Sequence, residues 1–177
     1  MNNRLNWLLG KIDQINRFNG WISAAAVLVV TLLAVVTAVA RSADLGSNAL
    51  IELQWYLFSM IFLLAAGWTL QQDQHIRVDV LAKRWSANTR LWIDLVGHTL
   101  VLLPVAVLLM WLGFEHTLTQ YLSGEMSADA GGLIRWPVWA LIPIGFLLLI
   151  LQTLADMARK IQQLRAPQPA EEPIHHE

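Results

Sequence analysis

Four long apolar stretches divide the chain, and polar segments separate them. They cover residues 18–40, 50–70, 91–114 and 136–154. A hydrocarbon core of about 30 Å requires roughly 20 helical residues, so each stretch is long enough to cross a membrane. A helix can do so because it satisfies its own backbone hydrogen bonds. The pattern predicts an all-α integral membrane protein with four transmembrane helices, which together form a single membrane domain over residues 1–165.

The two ends of the chain differ from the spans in composition. Residues 4–17 carry apolar side chains at helical spacing, and most of the charged and amide residues fall elsewhere on the helical wheel. The apolar set is Leu5, Leu8, Leu9, Ile12 and Ile15. We expect an interfacial amphipathic helix that lies flat on the cytoplasmic leaflet, and a plain lead-in to the first span is the alternative. The tail, residues 166–177, is rich in proline and glutamate and is expected to be disordered.

Positive charges are distributed unevenly between the two sides of the spans. Of the twelve Lys and Arg residues, all except Arg41 and Arg135 lie in the N-terminal segment, the middle loop or the C-terminal segment. Positive residues near span ends remain in the cytoplasm. Both termini and the middle loop are therefore predicted to be cytoplasmic, and the other two connections face outwards. In a bacterium, this is the topology of a multi-pass inner-membrane protein.

A secretory signal peptide is the alternative interpretation of the first span. Ala38, Val39 and Ala40 resemble a cleavage site, and basic residues precede the apolar run. The run is, however, about twice the usual length of a signal-peptide core. We therefore expect the first span to be retained as a transmembrane helix.

The longer outer connection, residues 115–135, carries signals both for a helix and for turns. We expect the third span to continue to about Tyr121, and three glycines break the helix after it. These are Gly124, Gly131 and Gly132. The segment is therefore expected to have a defined shape, and a plain connector is the alternative.

Composition restricts the chemistry that the chain can perform. The sequence contains no cysteine, which excludes disulfides, thiolate metal sites and thiol redox reactions. The basic residues are scattered, so nucleic-acid binding is not indicated. His98 is the only histidine clearly inside a span, and paired axial ligation of haem is therefore not expected. The sequence has no phosphate-binding loop or hydrolase motif, and we expect no enzyme activity, cofactor or metal.

Three ionisable residues fall inside the predicted spans, where such residues are candidates for function. They are Glu52, Asp94 and His98. Asp94 and His98 are four residues apart and share a helix face, so they could belong to a proton relay. The interpretation we favour is that Asp94 pairs with Arg90 and His98 bonds a neighbouring helix. If Glu52 could couple proton movement, the chain would be a self-sufficient four-helix exporter acting as a dimer.

The spans otherwise lack the marks of a substrate path. Such paths usually involve helices that are interrupted by Gly or Pro at corresponding places in two halves of the protein. Pro104 and Pro143 lie within the third and fourth spans, but they do not form a matching pair. The residues alone therefore favour a membrane scaffold or accessory subunit that packs against a larger protein.

Several short strings, taken in order, carry a family resemblance. An H-x-R-x-D string formed by His75, Arg77 and Asp79 follows the second span, and Glu52 precedes a Trp-Tyr-Leu-Phe segment. A Gly-Gly-Leu-Ile-Arg-Trp-Pro string opens the fourth span, in which Ile-Pro-Ile-Gly and Gln152 follow. The chain resembles the small (DctQ-like) permease subunit of tripartite ATP-independent periplasmic, or TRAP, transporters, and in particular the mannitol/chloroaromatic branch.

The resemblance implies a non-catalytic role within a complex. The small subunit would scaffold a large (DctM-like) permease subunit, which moves by an elevator mechanism and holds the Na⁺ and substrate sites. A periplasmic (DctP-like) binding protein would deliver an organic acid, commonly a carboxylate. The H-x-R-x-D residues would be structural at the cytoplasmic surface. The candidate contacts for the binding protein are Glu125, Asp129, Gly131, Gly132 and Arg135.

Overall fold

The computed structural model describes residues 3–72 and 86–165, and the regular structure within them is helical. The helices are α1 (Asn3–Ser42), α2 (Asn48–Gln71), α3 (Ala87–Gly97), α4 (Leu103–Ser123) and α5 (Trp136–Arg165). A π turn over His98–Leu102 joins α3 to α4. Within the described residues, four helices are long and apolar enough to cross a membrane, where α3, the π turn and α4 count as one continuous helix. This confirms the four predicted spans by length and composition.

Helix α1 includes both the predicted interfacial segment and the first span. It runs as one helix of 40 residues, which corresponds to about 60 Å at 1.5 Å per residue. Residue 18, where we expected the span to begin, lies inside this helix. A separate amphipathic helix that lies flat on the membrane therefore stays a prediction.

The third and fourth spans extend beyond their apolar runs. Helix α4 ends at Ser123, close to the expected Tyr121, because Gly124 adopts a left-handed conformation with φ of 61°. Helix α5 continues to Arg165 rather than ending at residue 154. The length of an apolar run matches the thickness of the hydrocarbon core. The helix itself can continue beyond the core for as long as its backbone hydrogen bonds can form.

The start of α3 and the π turn have causes in the local sequence. The Ser86 hydroxyl accepts a hydrogen bond from the backbone N–H of Thr89 at 3.2 Å, which caps the first turn of α3. Farther along, Pro104 has no N–H, and its ring displaces the carbonyl group four residues before it. The helix widens there, so that the N–H of Leu103 bonds to the carbonyl oxygen of His98.

The helices pack as a row in the order α1, α2, α5, α4. Helices α2 and α5 lie in the middle, and each has extensive contacts with two neighbours. The apolar core is small and is centred on Leu70, Ala106 and Leu149. We call the end of the row that carries the α1–α2 and α4–α5 connections the outer end, after the predicted orientation, and the opposite end the inner end.

Glycines allow neighbouring helices in the row to approach closely. A Cβ atom on Gly145 of α5 would lie 2.8 Å from the carbonyl oxygen of Leu63 in α2. A Cβ atom on Gly67 of α2 would collide with the side chain of Asn16 in α1. Membrane helices commonly meet at small residues because hydrophobic burial does not drive their association in lipid.

Candidate functional site

The second outer connection folds as a compact hairpin. We call residues 125–135 the outer hairpin. Its two arms are joined by an antiparallel bridge and two backbone hydrogen bonds. The joined pairs are Met126 with Ile134, Ser127 with Leu133 at 3.0 Å, and Glu125 with Arg135 at 3.1 Å. The side chains of Arg135 and Glu125 also approach within 3.6 Å, so two of the candidate contact residues are brought together.

The geometry at the tip of the outer hairpin explains why glycine occupies two positions there. The N–H of Gly132 donates to the carbonyl oxygen of Asp129 at 2.9 Å. Gly131 has a φ of 72°, a left-handed conformation that residues with a Cβ atom rarely adopt. A Cβ atom on Gly132 would collide with the side chain of Ser127. Both glycines therefore determine the shape of the hairpin.

Three polar residues on α2 hold the outer hairpin in place. Asn48, Glu52 and Tyr56 are spaced four residues apart and hence share one face of the helix. We call them the α2 polar stripe. The side-chain amide of Asn48 donates to the carbonyl oxygen of Ala130 at 3.2 Å, and the hydroxyl of Tyr56 donates to that of Ile134 at 3.1 Å.

Glu52 makes the central contacts of the stripe. One carboxylate oxygen accepts the hydroxyl proton of Ser127. The other accepts the backbone N–H of Leu133 at 2.6 Å. Hydrogen bonds to an ionised carboxylate are stronger than those between neutral groups. Glu52, which the sequence placed among the intramembrane polar residues, therefore anchors the hairpin at the outer end.

Aromatic pairs brace the helix ends on either side of the outer hairpin. The rings of His116 in α4 and Trp139 in α5 are 4.1 Å apart between centroids. Those of Tyr121 and Trp136 meet edge to face at 5.5 Å. The last turns of α4 and the first turn of α5 are thereby fixed relative to each other.

At the inner end, Asp94 and His98, the other two ionisable residues in the predicted spans, contact charged side chains of α5. The carboxylate of Asp94 lies 2.9 Å from the ammonium nitrogen of Lys160, which is also 2.6 Å from the carboxylate of Asp156. The Nδ1 atom of His98 lies 3.4 Å from Asp156. We expected Asp94 to pair with Arg90 on its own helix, which stays a prediction, and the structure places Lys160 against Asp94 across the α3–α5 contact.

A second polar network at the inner end joins α1 to α5. The side chain of Gln152 accepts a hydrogen bond from Asn16 at 2.9 Å and donates one to Asp13 at 3.1 Å. Arg159 pairs with the same aspartate at 2.5 Å. Asn16 and Gln152 are fully buried. Asp13 of α1 therefore faces α5.

Comparison with known proteins identifies the family. The family model described as "Tripartite ATP-independent periplasmic transporters, DctQ component" matches residues 27–163, which covers most of the four-helix row. The chain belongs to the DctQ family. A comparison with curated proteins gave no match to the chain. Family membership makes the protein a component of a membrane transporter rather than an enzyme, as the resemblance implied.

The remaining predicted site of this DctQ protein is not covered by the structure. His75, Arg77 and Asp79 lie outside the described residues, so the role of the H-x-R-x-D string stays a prediction. Within residues 3–72 and 86–165, the structure does not group three or more His, Asp or Glu side chains in a way that could hold a metal ion.

Sequence reasoning missed most partners of the polar residues in this DctQ protein. The four-residue spacing of the α2 polar stripe is visible in the sequence, but its partners are mainly backbone groups some eighty positions away. For the inner networks, the available signal was the amide of Gln152 inside the predicted fourth span, residues 136–154. Such a residue usually bonds a neighbouring helix.

Proposed function

We propose that this DctQ-family chain is the small subunit that scaffolds a large elevator-type permease subunit in a TRAP transporter. The complex would take up an organic acid, driven by Na⁺ and dependent on a periplasmic binding protein. The family match over residues 27–163 is the observation that carries the proposal.

The shape of the four-helix row supports a scaffold role. The row has α1 and α4 at its two sides, and its apolar core is small. The polar side chains buried at the inner end, Asn16 and Gln152, are engaged in bonds between helices. Meanwhile large apolar side chains such as Leu28 on α1 and Leu108 on α4 are exposed. These faces suit contact with lipid and with the helices of a larger subunit.

The distribution of charge supports the proposed orientation. Arg159, Lys160 and Arg165 lie at the inner end, whereas Arg135 lies in the outer hairpin. With the inner end in the cytoplasm, the chain would be a multi-pass protein of the bacterial inner membrane. The outer hairpin would then face the periplasm.

The outer hairpin and the adjoining end of α4 are the proposed contact for the binding protein. Glu125 and Asp129 are exposed there. Leu122 and Met126 are also 74% and 61% exposed, and both follow Tyr121, to which the third span was expected to continue. Apolar side chains in a polar rim are typical of a protein interface.

The substrate would be selected by the other two components. The resemblance of the short sequence strings to the mannitol/chloroaromatic branch suggests a mono- or dicarboxylate, such as a 2-oxo acid. The Na⁺ ions would bind the large subunit, so this chain would need no cofactor of its own.

Co-purification tests the proposal. The tagged chain is expressed with its genomic neighbours, among which we expect a large membrane protein and a periplasmic protein. We expect the large protein to co-purify, and the purified pair in proteoliposomes to take up an organic acid only with a Na⁺ gradient and the binding protein. Recovery of a homodimer alone, active as a proton-driven exporter, would overturn the proposal in favour of the alternative.

A further inference from the structure

We infer that Glu52 is a positioning residue that holds the outer hairpin as a preformed docking surface for the periplasmic binding protein. Asn48 and Tyr56 assist it on the same helix face. The inference rests on the proposed function, because that function supplies the partner of the hairpin.

The α2 polar stripe contacts every part of the outer hairpin. Glu52 bonds Ser127 on the first arm and Leu133 on the second. Asn48 reaches the tip at Ala130, and Tyr56 reaches the end of the second arm. The hairpin therefore cannot shift along α2 or lift away from it unless several of these bonds break together.

Part of the apolar surface of the outer hairpin is exposed or borders an open space. A cavity of about 220 Å³ lies between the hairpin and the helix ends, and Trp55, Val138 and Trp139 form part of its wall. The apolar side chain of Met126 is 61% exposed. The described contacts that fix the position of the hairpin on α2 are therefore the polar bonds from Asn48, Glu52 and Tyr56.

The chemistry of the two Glu52 contacts predicts an order among substitutions. Alanine removes both acceptors. Glutamine keeps both bonds, because its amide oxygen can accept the Leu133 N–H while its amide nitrogen donates to the Ser127 hydroxyl. Aspartate keeps the charge but is one methylene shorter. The positioning role therefore predicts that glutamine, and not aspartate, restores the wild-type behaviour.

If Glu52 instead carried protons for an exporter, the expected order of the variants would be reversed. Glutamine cannot ionise and would be as inactive as alanine, whereas aspartate would retain some activity. The comparison between glutamine and alanine therefore separates a positioning role from a proton-coupling role at the same residue.

The first measurement follows the mobility of the hairpin tip. Because the chain has no cysteine, Ala130→Cys provides a single site for a spin label on the purified chain. The labelled chain is then assembled with the unlabelled large subunit in nanodiscs. We expect Glu52→Ala to increase the mobility of the label and Glu52→Gln to leave it unchanged. Glu115→Ala is the matched control, since it removes an outer-end carboxylate from α4 and should not affect the tip.

The second measurement uses unlabelled complexes and titrates the binding protein in Na⁺-driven uptake. A hairpin that must be ordered at each docking event weakens association. We expect Glu52→Ala to raise the half-saturating concentration of binding protein roughly tenfold with the maximal rate unchanged. Glu52→Gln should stay close to wild type. Tyr56→Phe, which deletes one hydroxyl, should give a smaller rise and serves if Glu52→Ala does not assemble.

The outcomes distinguish the inference from the function on which it rests. If the wild-type chain does not bring the large subunit with it, the proposed function fails. If that complex forms but Glu52→Ala and Tyr56→Phe leave both tip mobility and half-saturation unchanged, the positioning inference alone fails. Equal loss of activity in Glu52→Gln and Glu52→Ala would also overturn it.

Discussion

The contact between α2 and α5 gives the most direct test of the helix row. In Gly145→Ala, the added Cβ atom would lie 2.8 Å from the Leu63 carbonyl oxygen and 2.9 Å from its Cβ atom. Ordinary van der Waals contact begins at 3.4 Å, so the helices must separate by 0.6 Å, the difference between 3.4 Å and 2.8 Å. The backbone oxygen cannot rotate away, and neighbouring contacts along the interface are stretched with it.

A matched variant separates the free-energy cost of this clash from the effect of replacing glycine by alanine in a helix. Overpacking a well-packed contact costs about 1–3 kcal/mol, whereas replacing a glycine by alanine within a helix returns up to about 1 kcal/mol. A Cβ atom on Gly97 has nothing within 4 Å, and its φ of −60° and ψ of −43° are helical. Gly97→Ala should therefore gain the helix propensity of alanine without a steric clash. The two variants should differ by the overpacking cost, about 1–3 kcal/mol.

Thermal unfolding in detergent, followed by the fluorescence of the nine tryptophans, measures this difference. At roughly 2–4 °C per kcal/mol for a chain of this size, Gly145→Ala should melt at least about 2 °C below Gly97→Ala. Wild-type protein should lie between the variants or beside Gly97→Ala. Equal melting temperatures for the two variants would show that α2 and α5 do not meet backbone to backbone at Gly145, and the row would have to be rejected.

Two further predictions concern the inner end, and both are checked by the same melting assay. Lys160→Met leaves two carboxylates without their shared counter-ion and should cost about 3 kcal/mol, whereas Lys160→Arg keeps the charge and should cost less. Equal losses would contradict the ion-pair account. Gln152→Leu keeps most of the side-chain volume but removes two hydrogen bonds to α1, and should cost about 1 kcal/mol at roughly 0.6 kcal/mol per bond. An unchanged melting temperature would refute it.

The sequence was sufficient for the spans because their signal is local. An apolar run of about 20 residues is stable in lipid as a transmembrane helix, and each residue contributes to that signal independently. Helix ends were less predictable. The extension of α5 to Arg165 adds polar residues that carry no membrane signal, and it is stabilised by contacts such as that between Arg159 and Asp13. Those contacts depend on which helices are neighbours.

The polar partners could not be derived from one sequence for the same reason. Helical spacing makes Arg90 a reasonable partner for Asp94, because only residues on the same helix have a known separation. The ammonium group of Lys160 lies at the same level only because α3 and α5 pack antiparallel at a particular register. Likewise, nothing near Glu52 in the sequence indicates that its carboxylate oxygens accept hydrogen bonds from Ser127 and Leu133.

The positions of these contacts suggest how the chain can both fold and bind. Association of helices in lipid has no hydrophobic driving force, so a thin row with a small core needs specific bonds between its helices. In this chain those bonds concentrate at the two ends, through the α2 polar stripe and through the networks around Gln152 and Lys160. The exposed apolar faces of the helices, such as those at Leu28 and Leu108, take no part in these bonds. They are therefore available to a larger membrane subunit, because its binding need not disturb the contacts that define the fold.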